Sequence, residues 1–132
     1  MNKRFYYILI IIVLLTGVCI LEQIMIDSYL GNMEIMVYEI IDEVDDKTDV
    51  NTTEIYNLVE EAEKTWNHYE SNFCFLINYK EIEEIGVEFT KMKVYILENA
   101  VTELKASLAQ VLYFTDSYRQ VMGISLQNII WF

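Results

Sequence analysis

Seventeen consecutive uncharged residues, Phe5 to Leu21 (FYYILIIIVLLTGVCIL), constrain this chain more than any other feature. The run has no polar face, which excludes an amphipathic core helix. It is at the short end of the length a helix needs to cross a bilayer. Glu22 and Gln23 follow, then Ile24, Met25 and Ile26 before Asp27, so a polar pair at the interface lengthens the usable stretch slightly. Tyr6 and Tyr7 suit the aromatic layer on the side of Lys3 and Arg4, and those two bases place the N-terminus in the cytoplasm. A cleaved leader would need small residues after the run. Leu21 to Leu30 (LEQIMIDSYL) instead offers Glu, Gln, Met and Asp at those places. Lipoprotein processing at Cys19 fits poorly, with Val18 just before it and Thr16 three places before. Residues 1–26 therefore read as an uncleaved transmembrane anchor, and residues 27–132 as a domain on the outer side.

Proline is absent and glycine occurs only at Gly17, Gly31, Gly86 and Gly123, where an average domain carries about 5% Pro and about 7% Gly. Without these breakers the chain favours a few long helices over a turn-rich β fold. The charge is one-sided, with 21 acids against 9 bases. Lys3 and Arg4 precede the run, so the outer part sets seven bases against all 21 acids, a net charge of −14. Such a surface repels nucleic-acid phosphates and anionic lipid head groups alike. Its simplest account is a solvated helix surface; a basic partner or divalent cations are the specific alternatives. Cys19 lies inside the run and Cys74 beside Phe73, Phe75 and Leu76, so neither a bridge nor a Cys/His metal site is expected. Cys74 reads as a small buried hydrophobe.

Beyond the run, Tyr29, Met33, Met36/Val37, Ile40 and Val44 recur at steps of three and four, continuing the membrane helix outward. Gly31-Asn32 is its one soft spot, a candidate hinge. The polar stretch Asp45 to Val50 reads as a turn. Asn51-Thr-Thr-Glu54 then resembles a capping box with Asn51 as the cap. Ile55, Leu58/Val59, Ala62, Trp66, Tyr69 and Phe73 line a second helix out to about Ile77. After Asn78, a third carries Ile82, Ile85, Phe89, Met92 and Ile96. A break at Glu98-Asn99 is expected, with Asn99 capping a fourth helix striped by Leu104, Leu108, Val111/Leu112 and Tyr118. Gly123 is expected to end that helix. The fold class is thus all-α: a transmembrane helix continuing into an extracytoplasmic antiparallel bundle of about four helices. Trp66, Leu58, Phe89, Leu104 and Leu108 are its expected core.

Residues that carry chemistry are sparse. His68 is the only histidine and has Thr65, not Glu, three places before it, so the paired Glu-x-x-His ligands of helical metal bundles are missing. No nucleophile elbow surrounds any serine, and no glycine-rich phosphate loop occurs. Adjacent acids such as Glu60/Glu61 are uninformative in so acidic a chain. Asp42 to Asp49 lacks the EF-hand spacing. No catalytic residue, cofactor or metal ligand is expected. The end of the sequence has more to offer: Asn128, Ile129, Ile130, Trp131 and Phe132 form an apolar tail that packs on the bundle, inserts at the membrane interface, or docks on a partner.

The basic start, the apolar run, Glu22-Gln23 after it, Trp66 and the closing Leu126-Gln-Asn-Ile-Ile resemble the family catalogued as domain of unknown function 4363. Its members are small single-pass proteins of spore-forming Gram-positive bacteria, often ending in a Leu-Glu-Asn-Ile-Phe-like sequence. Here Gln127 stands in the Glu place, Ile130 in the Phe place, and Trp131-Phe132 extend further. The resemblance implies no activity, catalytic residue or cofactor. Genes of the family often lie near those of multi-pass membrane proteins, which implies membership of a membrane complex. The expected role is accordingly an interaction or accessory module of the membrane or envelope, with the membrane itself and a protein partner or second copy as its contacts and no nucleic acid. A small-ligand or cation sensor bundle is the first alternative, and an envelope hydrolase the second.

Overall fold

A computed structural model describes residues 2–72 and 79–130, with side chains for 2–72 and 83–120. Among these, four helices and no strand occur: α1 (Lys3–Asp45), α2 (Thr53–Ser71), α3 (Tyr79–Leu97) and α4 (Val101–Ile130). α1 packs against α2 and α4, and α3 against the same two, so the helices stand at the corners of a square. Cross-helix pairs fix the antiparallel sense. Between α4 and α1, Thr115 meets Glu34 and Arg119 meets Asp27; between α3 and α2, Thr90 meets Glu63 and Gly86 lies beside Trp66.

The buried residues explain the packing. On α1 they are Ile26, Leu30, Met33, Val37, Ile40 and Val44; on α2, Ile55, Val59, Ala62 and Trp66. On α3 they are Ile85, Phe89, Met92 and Ile96, and on α4 Leu104, Leu108, Val111 and Thr115. Every helix steps four, three, four. That 3.5-residue repeat keeps one narrow seam facing inward over many turns, as in a left-handed bundle. Isolated helices of this length are marginal in water, so burial of the four seams holds them together. Of the expected core, Trp66, Phe89, Leu104 and Leu108 are fully buried, while Leu58 is half-buried at the edge of the cluster.

α1 is unbroken over 43 residues, about 65 Å long, and passes through Gly31 without interruption. From Phe5 to Leu15 its side chains are exposed.

Four local expectations are corrected. The cap of α2 is Thr52 rather than Asn51: Ile55 N donates to Thr52 Oγ1 over 3.3 Å. Asn51 is engaged elsewhere, its backbone N donating to Asp49 Oδ1 and its side chain to Leu97 O. α2 ends at Ser71, short of Ile77; Phe73 to Asn78, including Cys74, lie outside the described residues. Asn99 does not cap α4. It has φ 53° and closes α3, with Ala100 N donating to Tyr95 O and Asn99 N to Ile96 O. Those two bonds define a Schellman motif, in which Asn is the usual substitute for glycine. Finally, α4 continues through Gly123 to Ile130, because a lone glycine weakens a helix without ending it.

Candidate functional site

The expected tail divides. Asn128, Ile129 and Ile130 belong to the last turn of α4, while Trp131 and Phe132 lie outside the described residues. His68 is exposed in the last turn of α2, its ring 6.4 Å from that of Tyr69. Among the described residues no three His, Cys, Asp or Glu side chains gather as a metal site would require.

Three polar arrangements do come together. Between α2 and α3 a groove of about 480 Å³ is lined by Glu63, Asn67, Glu70, Glu83, Thr90 and Lys93, among others. Lys93 Nζ lies 2.7 Å from Glu63 Oε1, and that bond holds the Lys93 ammonium above its ordinary range. Burial, and then the facing Glu83, push the Glu70 carboxyl upward. Between α1 and α4, Arg119 bridges Asp27 (Nε to Oδ1, 2.9 Å) and Glu34 (Nη1 to Oε2, 3.0 Å). Beside it, exposed Tyr38 and Tyr113 flank a groove of about 410 Å³. Between α1 and α2, Tyr29 and Tyr69 stack at 4.0 Å, and each hydroxyl accepts from an asparagine of the opposite helix, Asn72 and Asn32 respectively.

The near end of the bundle, where α1 leaves it for the apolar run, holds what the sequence did not disclose. Glu22 is 9% exposed, and the Gln23 side-chain oxygen is buried without a hydrogen-bond partner among the described residues. Both had read as a polar pair at the water interface. The signal was present in the spacing: Glu22 lies four residues before Ile26 and eight before Leu30, on the face of α1 that carries the seam.

The arrangement defines a class: an antiparallel four-helix bundle whose first helix is long and apolar enough to cross a membrane. The chain belongs to the family described as Domain of unknown function (DUF4363), whose model matches residues 24–129. The match covers the bundle and starts beyond the apolar run and Glu22-Gln23. No curated protein and no solved structure matches the chain.

Proposed function

We propose that this chain is a membrane-anchored accessory module. α1 crosses the membrane once with Lys3 and Arg4 on the cytoplasmic side, and the bundle stands on the opposite face to bind another membrane or envelope protein. The observation that carries this reading is the division of α1. One unbroken helix has an apolar half outside the core and a half whose seam is the core. Such a helix ties the position of the bundle rigidly to the bilayer, which a detachable leader would not need.

The test has two arms. Alkaline phosphatase fused after residue 132 is expected to be active in cells, and the full-length chain is expected to resist carbonate extraction. A mature form lacking the run identifies a cleaved leader instead and overturns the anchor. The second arm compares partners captured in mild detergent by the intact chain and by one lacking Trp131 and Phe132. Loss of a specific membrane partner on deletion supports docking through the tail; identical recovery removes the tail from the interface.

A further inference from the structure

We infer that the near end of the bundle is seated within the lipid bilayer rather than above it, with the outward faces of Leu21 and Ile24 in contact with acyl chains. The inference deepens the single-span reading proposed above and rests on it.

Length is the first argument. The strict apolar run of 17 residues makes about 26 Å of helix, less than the roughly 30 Å of hydrocarbon it must cross. Glu22 would end it there if it faced outward, but it turns inward, and Gln23 beside it is half-covered with its side-chain oxygen buried. Glu22 is 9% exposed, while the outward side chains around it are Val18 (59%), Leu21 (68%) and Ile24 (56%). The first outward polar groups are Asp27 and Ser28. Thr16, within the run, donates its hydroxyl to Ile12 O at 2.8 Å and so presents no unsatisfied donor to lipid. Measured on its outer face, the apolar stretch is therefore Phe5 to Ile26, about 33 Å. That length spans the hydrocarbon without thinning it.

The packing gives the second argument. Bundle burial does not stop where the apolar run begins: Gly17, Cys19 and Ile20 are half-covered. The buried face of α1 extends down through Glu22 to the half-covered Cys19, so the last turn of the run, Gly17 to Leu21, belongs to the run and to the bundle at once.

Register supplies the third. Arg119 beside Asp27 and Thr115 beside Glu34 set α4 antiparallel to α1. The α4 backbone stays helical to Ile130, eleven residues and about 16 Å beyond Arg119. Counted from those two pairs, that length brings its end level with the turn Thr16 to Cys19. Arg119 is also the last charged residue in the sequence, and Gln120 to Phe132 carry none. A helix that descends beside the membrane span then has no charged side chain below the point where it would enter. The Arg119–Asp27 pair then forms the first charged layer at the water boundary. Polar side chains at such depth are tolerated when they face protein, which is where Glu22 and the side-chain oxygen of Gln23 lie.

The test uses the full chain in phosphatidylcholine vesicles, with Cys19→Ala and Cys74→Ala as background. Nitroxide labels go singly at Leu14→Cys, Leu21→Cys, Ile24→Cys and Ile35→Cys, all outward positions that do not enter the core. Helical circular dichroism identifies any label that unfolds the bundle, and Val18→Cys then replaces it. Collision rates with oxygen and with an aqueous nickel chelate report depth. The oxygen-to-nickel ratio is expected to be several-fold higher at 14, 21 and 24 than at 35. A low ratio at 21 and 24 with a high one at 14 overturns the inference but keeps the span. A low ratio at 14 as well overturns the span itself.

Discussion

Val50 and Asn99 are 49 residues apart in sequence, and Val50 N donates to Asn99 Oδ1 across 2.8 Å. This bond ties the α1–α2 turn to the α3–α4 turn at the end of the bundle far from the apolar run. Val50 is fully buried, so its N–H has no access to water if the acceptor is removed. Asn99 also supplies the left-handed backbone that ends α3.

Two substitutions separate those roles. Asn99→Gly keeps the backbone and loses the acceptor, at an expected cost of about 1–2 kcal/mol, the penalty of one buried orphaned donor. Asn99→Ala adds about 1 kcal/mol of left-handed strain. Chemical denaturation of the detergent-solubilised chain should therefore rank wild type, Gly, Ala in falling stability. Equal values for Gly and Ala would mean that the turn relaxes out of the left-handed region.

Gly86 offers a gain. It sits inside α3 facing Trp66, and an added Cβ would lie 3.6 Å from Trp66 Cδ1, ordinary van der Waals contact. Gly86→Ala should stabilise the bundle by about 0.5–1 kcal/mol through helix propensity. Gly31→Ala is its control, because there a Cβ meets nothing within 4 Å. A loss at Gly86 alongside a gain at Gly31 would show that the indole does not tolerate even one methyl.

Much of this architecture was legible because a buried seam imposes a period that survives in the sequence. Phe89, Met92 and Ile96, or Leu104 and Leu108, announce their helices without any tertiary knowledge. What failed to read was single residues whose chemistry serves two local structures. Asn99 suits a helix start and a left-handed helix end equally, and only the bonds to Tyr95, Ile96 and Val50 choose between them. Asn51 and Thr52 are both competent caps, and Asn51 is diverted by a carbonyl 46 residues away. The inward facing of Glu22 was not legible for a different reason. Hydropathy along a sequence counts a polar residue whichever way it faces, and the facing is set by packing. The Arg119 bridge had no sequence signal, since it depends on the register of helices 92 residues apart.

Glu70 gives a pH dependence whose sign can be worked out. Its carboxyl is raised above its ordinary 4.5, first by burial and then by Glu83. A folded state that holds the proton more tightly than the unfolded chain is favoured at low pH. Its contribution is full below about 4.5 and is lost as pH rises through the higher folded value. Glu70→Gln removes the charge that burial opposes. At pH 7 it should stabilise the chain by less than about 1 kcal/mol, because solvent screens the partly open groove. It should also flatten the stability profile just above pH 4.5. A steeper profile in the variant would contradict the assignment.

Among the described residues Arg119 is the only charged link between α4 and α1, and it is half-exposed, so its worth depends on salt. Its guanidinium meets Asp27 and Glu34 at once, and Glu34 is the better shielded of the two. An isolated surface pair contributes little, but a shared arginine orders two acceptors for the entropy of one side chain. Arg119→Ala should cost about 1 kcal/mol at low ionic strength, and the deficit should shrink near 1 M salt, where screening acts within about 3 Å. Denaturation curves at both salt concentrations measure the difference. A deficit unchanged by salt would assign the loss to the packing of the Arg119 stem against α1 instead. In that case Arg119→Met, which keeps the stem and removes the charge, would restore the stability that Arg119→Ala loses.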